Sequence, residues 1–251
     1  MNKKSKIRNP KSEICIVTGA SRGLGRAIAV RFSLAGYCVV VTYRQESEKA
    51  KEVVRQIGAA RALACRANIA RENEVEAMIE ETLERWGRID ILVNNAGLTR
   101  DNLLIRLKDE EWTELLETNL RGAFHCIKAV APVMAKGGGG HIINISSLVG
   151  IKGGFGQANY AASKSALIGL TRSAAVELGP QNIKVNAVLP GYLLTDMGLK
   201  AGVQAIERVK KENCLGRLSE VNEIADFVCH LAQMNNVSGQ IFNLDSRIGS
   251  F

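Results

Sequence analysis

The sequence predicts an α/β protein built on a doubly wound sheet of seven parallel strands with helices on both faces. Three observations predict it. Seven short apolar runs alternate along the chain with helical stretches, and that alternation leads to a parallel sheet covered on both sides. The first run is followed by a glycine-rich turn and then by a helix. The chain has 251 residues, 46% of them hydrophobic, which is enough to bury a sizeable core as one domain.

Each element follows in order. Residues 1–12, with Lys3, Lys4, Lys6 and Arg8, read as a mobile basic arm, and residues 13–251 as the single catalytic domain. Ile14–Val17 is an apolar run. Thr18–Gly25 is a turn and Arg26–Ala35 an amphipathic helix, and Val39–Thr42 is the second strand. Strand, glycine turn, helix and strand together form the unit that cradles a pyrophosphate in Rossmann-type folds. Small residues let the backbone approach the phosphates, and the helix start offers free N–H groups and a positive dipole end.

The alternation continues with a helix at Glu46–Ile57, a strand at 63–65, a helix at Glu72–Trp86 and a strand at Ile89–Val93. Asn94–Gly97 closes that strand. A long helix, Glu110–Met134, is interrupted at most near Gly122. After four glycines, His141–Ile145 is a strand ending in Ser146 and Ser147. A glycine-rich loop leads to the helix Ala158–Leu178, then to the strand 184–188, stopped by Pro190 and Gly191. Residues 193–216 read as an irregular segment with a short helix, a lid over the substrate. A helix at 220–232 and a strand at 240–244 complete the chain.

Ligands in such sheets bind beyond the carboxyl ends of the strands. The glycine turn, Asn94–Gly97, Ser147 and Pro190–Gly191 all follow strands, so they converge on one edge. Tyr160 and Lys164 open the helix that follows Ser147. Four residues apart, they share a helix face. A cation beside a phenol favours the ionised phenol, so this pair can act as a general acid/base.

The net charge is +8 and the sequence pI about 9.3. Outside the first eight residues the basic groups are interspersed with acids, so the balance points to acidic or phosphorylated small molecules rather than nucleic acid. The six cysteines show no metal-ligand spacing, and no metal site is expected. No apolar run is long enough to span a bilayer. Reduced thiols and the lack of a hydrophobic leader predict a cytoplasmic protein.

With these motifs in hand, the chain resembles the short-chain dehydrogenase/reductases over about residues 12–245. Thr18–Gly25, Asn94–Gly97, Asn119, Ser147, the Tyr160/Lys164 pair and Pro190–Gly191 carry the resemblance in order. Leu98–Leu104 and Gly156–Lys164 bring it nearest to the 3-oxoacyl-[acyl-carrier-protein] reductases. The resemblance implies that Tyr160 protonates the developing alkoxide and that Ser147 hydrogen-bonds the substrate carbonyl. Lys164 would hold the nicotinamide ribose and lower the Tyr160 pKa, while Asn119 supports a proton-relaying water. It further implies a cofactor site formed by Gly19, Ser21, Arg22, Gly23, Leu24, Gly25, Tyr43, Arg44, Asn68, Ile69, Asn95, Ala96, Gly97, Tyr160, Lys164, Pro190, Gly191 and Thr195.

NAD binding needs an acid about 20 residues past the glycines. Thr42–Arg44 supplies none. Arg22 and Arg44 instead suit a 2′-phosphate, so NADP(H) is the expected cofactor. The expected substrate is a 3-oxoacyl thioester on acyl-carrier protein. A coenzyme A thioester or another ketone is the alternative, and a nucleotide-binding regulator without turnover is a third reading, opposed by the complete Asn119, Ser147, Tyr160 and Lys164 set. A homotetramer or dimer is implied, with no nucleic-acid or membrane partner. Two departures stand out. The positions where the family carries carrier-docking basic residues beside the site fall near Gly138 and Gln181, both neutral, with Arg121, Lys128, Lys136 and Arg172 as substitutes. The chain also ends its last strand on Asp245-Ser246-Arg247 where relatives have Asp-Gly-Gly.

Overall fold

Seven parallel strands form one sheet in the order β3-β2-β1-β4-β5-β6-β7 in a computed structural model that describes residues 12–199 and 202–247. The basic arm at 1–11 and the tail beyond Arg247 lie outside the described residues, as does the side chain of Met197.

The strands are β1 (Ile14–Val17), β2 (Cys38–Tyr43), β3 (Ala62–Arg66), β4 (Ile91–Asn94), β5 (Gly140–Ile145), β6 (Ile183–Leu189) and β7 (Ile241–Asn243). The main helices are α1 (Gly23–Leu34), α2 (Ser47–Ile57), α3 (Glu72–Trp86), α4 (Asp109–Leu116), α5 (Gly122–Lys136), α6 (Val149–Lys152), α7 (Ala158–Leu178), α8 (Asp196–Leu199), α9 (Gly202–Glu212) and α10 (Val221–Leu231). Side chains alternate along each strand, so the two faces of the sheet feed two cores. Cys15 and Val17 face Ile28 and Phe32 of α1, Val53 of α2 and Val228 of α10. Ile14 and Ile16 face Met78 of α3 and Val130 and Met134 of α5. Burial on both sides explains why the strands read as uninterrupted apolar runs.

The chain builds outward from β1 to β3, then restarts at β4 on the other side of β1. The reversal opens a crevice between the ends of β1 and β4, where such sheets bind ligands.

Two elements differ from the sequence expectation, and a third gives the expected break near Gly122 its form. Helix α1 starts at Gly23 rather than Arg26, so its first turn lies inside the glycine segment. The long helix is interrupted by a π turn, Glu117–Arg121, between α4 and α5. Residues 202–212 form a regular helix rather than an irregular stretch, because Ile206, Val209 and Asn213 share a helical face turned inward while Glu207, Arg208 and Lys211 face out.

Candidate active site

The phosphate end of the crevice is made by two interlocked turns. The hydroxyl of Thr18 accepts hydrogen bonds from the amides of Asn95 and Ala96, both at 2.9 Å. The Asn95 carboxamide donates to the carbonyls of Thr18 at 2.9 Å and Gly19 at 3.2 Å. The Gly19 amide donates to Thr42 Oγ1 at 3.1 Å. Two glycines make this interlock possible. Gly19 has φ +63, and a Cβ there would meet Ala96 Cα at 2.9 Å. At Gly25 a Cβ would lie 2.4 Å from both Asn95 Nδ2 and the Gly19 carbonyl oxygen.

The result is a helix start that faces the crevice bare. Arg22 caps α1 with extended backbone and no side-chain bond, and no acid sits in the first turn. The first-turn amides have no helical partner, and nothing acidic opposes an anion there. Ser21 and Leu24 are buried against the core, so backbone alone is presented at those positions. Thr195 stands over the turn, with its methyl 3.4 Å from the Cβ position of Gly23. Arg22 is exposed and pairs with Glu46 at 3.4 Å and Asp196 at 3.8 Å. Arg44 is exposed at the end of β2. Its carbonyl accepts from Arg66 Nε at 3.4 Å, and Arg66 lies opposite Tyr43 in the β2–β3 register. Arg66 adds a third guanidinium to this corner; its place at the end of β3 was the only sequence signal for it.

Asn68 uses its carboxamide oxygen on the Ala70 amide at 3.3 Å. Ile69 is buried against Gly122, whose missing Cβ leaves room for it at 2.6 Å. Ile69 therefore packs in the core. Gly191 has φ +76, and a Cβ there would strike Ser219 Oγ at 2.2 Å, so Pro190–Gly191 turns tightly beneath residues 219 and 245.

The other end of the crevice collects the polar groups. Lys164 is buried, and its Nζ donates to the Ile145 carbonyl at 2.7 Å. The Ser146 hydroxyl donates to the Lys164 carbonyl at 2.8 Å, which clamps α7 to β5. Helix α6 crosses α7 at Gly150, where any Cβ would sit 2.7 Å from the Lys164 carbonyl carbon. That crossing places Ser147 beside Tyr160, close enough for its hydroxyl to favour the ionised phenol. Asn119 is buried in the π turn, a widened turn frequent at functional positions. Its side chain accepts from the Leu98 amide at 2.9 Å and donates to the Leu98 carbonyl at 3.0 Å. Gly97 lies between Asn119 and Lys164, its Cβ position 3.2 Å from Asn119 Oδ1 and 3.7 Å from Lys164 Nζ. Asn119, Ser147, Tyr160 and Lys164 thus gather at this end of the crevice.

Two electrostatic features bear on the sequence reading. Burial pushes the Tyr160 phenol up to about 12, with Ser147 pulling it down and Asp101 pushing it further up. The Lys164 ammonium is engaged by the Ile145 carbonyl. Its Nζ is 5.7 Å from the ring centroid and bonded to a carbonyl, and burial brings its own pKa down to about 8. The second concerns carrier docking. Gly138 and Gln181 precede β5 and β6, so they lie at the amino ends of those strands. Ser147 lies at the carboxyl end, about 20 Å away for a six-residue strand. Gln157 donates to Asp101 at 3.1 Å, which joins the Leu98–Leu104 and Gly156–Lys164 stretches, a contact that no motif in the sequence signals.

A sequence model described as short chain dehydrogenase matches residues 13–206. The chain belongs to the short chain dehydrogenase family. Among curated relatives of this short chain dehydrogenase, the 3-oxoacyl-[acyl-carrier-protein] reductase FabG of Staphylococcus aureus (strain N315) is 44% identical over 92% of this chain and 95% of its own length. The protein of that name in Staphylococcus epidermidis (strain ATCC 12228) is 43% identical over 92% and 96%. A 3-oxoacyl-[acyl-carrier-protein] reductase of Synechocystis is 42% identical over 96% and 98%. A nicotinamide cofactor fits the observed donors: bare amides and Arg22 at the start of α1, Arg44 and Arg66 at the ends of β2 and β3, and a buried lysine beside the second turn. Among the described residues, no helix of this short chain dehydrogenase is long and apolar enough to cross a membrane, and no cluster of side chains could hold a metal ion.

Proposed function

We propose that this chain reduces 3-oxoacyl thioesters to 3-hydroxyacyl thioesters with NADPH in fatty acid biosynthesis, the acyl group arriving on an acyl-carrier protein. The observation that carries the reading is the convergence of Ser147, Tyr160 and Lys164 beside the glycine crevice, in a chain whose near-full-length relatives bear that reductase name.

When bound, the nicotinamide supplies the hydride. Tyr160 holds its proton across the neutral range, because its pKa is raised to about 12, and it gives that proton to the ketone oxygen. Ser147 donates a hydrogen bond to the same oxygen as negative charge develops there. Lys164 holds the ribose and restores the Tyr160 proton; a pKa of about 8 lets it carry and pass a proton near neutrality. Asn119 fixes Leu98 and the adjoining loop. Gly19, Gly23, Gly25 and the α1 amides hold the pyrophosphate, and Arg22 and Arg44 the 2′-phosphate. Ser21, Leu24, Tyr43, Asn68, Ile69, Asn95, Ala96, Gly97, Pro190, Gly191 and Thr195 shape that site. Residues 13–251 act as one catalytic domain. The segment 193–216 covers the acyl chain, with Leu194, Leu199 and Val203 offering exposed apolar surface. The enzyme works in the cytoplasm as a homotetramer or dimer, with exposed Trp112 and Phe124 available to a second copy.

A second reading, coenzyme A as the thiol carrier, is favoured by the charge pattern. Arg121 and Lys128 are engaged by Glu117 and Glu72, at 2.9 and 2.7 Å. Matched 3-oxoacyl chains on carrier protein and on coenzyme A, each with NADPH and NADH, test both points. Higher kcat/KM on carrier protein with NADPH is the expected result. Equal or better turnover of the coenzyme A thioester overturns the carrier, and faster turnover with NADH overturns the cofactor.

A further inference from the structure

The departure at Asp245-Ser246-Arg247 has a structural counterpart. Leu244 donates its amide to the Leu189 carbonyl at 2.9 Å, which anchors the segment to the end of β6. Asp245 then grips Arg247 through both carboxylate oxygens. Arg247 Nε lies 2.9 and 3.1 Å from them, and the Arg247 amide is 2.9 Å from Oδ1. Their side chains are only 10% and 1% exposed, so the pair is a rigid, largely desolvated fork. Its backbone reaches the far end of α9: the Cys214 amide donates to the Ser246 carbonyl at 3.1 Å, and Asn213 bridges Arg247.

A second, exposed arm starts from the same place. Arg247 also approaches Glu212, the last residue of α9, at 3.9 Å. Glu212 accepts from Lys152 Nζ at 3.2 Å. Lys152 ends α6, the four-residue helix that follows Ser147. One carboxylate on α9 is therefore shared between the C-terminal fork and the catalytic-serine turn.

We propose that Asp245, Arg247, Glu212 and Lys152 form a charged brace that sets the position of α9 relative to the Ser147 turn, so that all four are positioning residues for substrate binding. The inference rests on the reading above that 193–216 covers the acyl chain. The two arms divide the task. The buried fork is a fixed base: removing one partner strands a buried charge and destabilises the fold. The Lys152–Glu212 arm is exposed on both sides, 39% and 42%, and such a pair adds little to global stability. Its effect falls on where α9 sits.

The test uses Lys152→Met, Glu212→Gln and the double variant in the full chain, with acetoacetyl-coenzyme A as the substrate probe. Each single variant is expected to raise KM for the thioester about two- to fivefold. The double variant is expected to be no worse than Glu212→Gln alone, because that change already removes the contact that Lys152→Met removes, along with the approach of Arg247. The values of kcat, NADPH affinity and melting temperature are expected to stay near wild type. Wild-type KM is expected to rise with salt, and that of Lys152→Met to be flat. Amide exchange over 203–212 provides a readout independent of turnover and is expected to quicken in both single variants. Additive KM effects, or unchanged exchange in both variants, overturn the brace. A wild-type enzyme that turns over no 3-oxoacyl thioester overturns the proposed function instead, and exchange then still decides the brace.

Discussion

Replacing Gly25 with alanine is the sharpest perturbation of the cofactor end. The new Cβ would lie 2.4 Å from Asn95 Nδ2 and 2.4 Å from the Gly19 carbonyl oxygen, where ordinary contact starts at 3.4 Å. Neither neighbour is free to move, since Asn95 Nδ2 already bonds the Thr18 and Gly19 carbonyls. Relief requires α1 and the Asn95 turn to part by about 1 Å, at an overpacking cost of about 1–3 kcal/mol. The two Asn95 bonds that loosen contribute about 1 kcal/mol each, so the variant loses about 3–5 kcal/mol of stability. The same movement draws the α1 amides off the pyrophosphate. Losing one charge-assisted bond costs about 1.5–3 kcal/mol, so NADPH affinity falls about tenfold to a hundredfold. Gly36→Ala is the control: Gly36 has φ +97 and no atom within 4 Å of a built Cβ. Its left-handed strain costs stability of about 1–2 kcal/mol without touching the crevice. Thermal unfolding and a fluorescence titration with NADPH measure both quantities. If Gly25→Ala binds NADPH like wild type and melts like Gly36→Ala, the interlocked-turn argument is wrong.

Asn119→Ala removes three hydrogen bonds, two to Leu98 and one to Ser163. Each of the two stranded backbone groups of Leu98 costs about 1–3 kcal/mol, so chemical denaturation is expected to show a loss of about 2–6 kcal/mol; a neutral result contradicts the clamp. Lys164 supplies a pH test. Its folded pKa of about 8 lies below its ordinary 10.5, so between those values the unfolded chain holds more protons and stability rises with pH. Relative to Lys164→Met, wild type is expected to gain about 2–3 kcal/mol between pH 7 and pH 10. Taking the difference cancels the buried thiols Cys65 and Cys126, whose raised pKa values act in the opposite sense. A pH-independent difference contradicts the burial of Lys164.

The sheet was legible because both its faces are covered. Double burial turns β1, β2, β4 and β6 into runs such as Ile14–Val17, and helices between them leave few other topologies. The site was legible because each motif follows a strand. Other features carried no such signal. Gly122 marked where the long helix could break, but no local pattern gives the π geometry of Glu117–Arg121; Ile69 packs on Gly122 where α5 starts. Helix α9 buries so little apolar surface that its periodicity rests on Ile206 and Val209. The Asp245–Arg247 fork stood out as an oddity, but its reach to Glu212 and Lys152 depends on segments about 35 and about 95 positions away, which no local pattern reveals. Spacing places Lys164 beside Tyr160 without saying that its ammonium turns to the Ile145 carbonyl.

The central claim is that Tyr160 delivers the proton to a 3-oxoacyl ketone. Tyr160→Phe keeps the ring and removes only the hydroxyl. Single-turnover NADPH oxidation with a 3-oxoacyl thioester, alongside an NADPH binding titration, measures it directly. The account predicts a chemical step slowed by about a hundredfold to ten-thousandfold with NADPH affinity unchanged. A variant that binds NADPH and still reduces the ketone at the wild-type rate would contradict it.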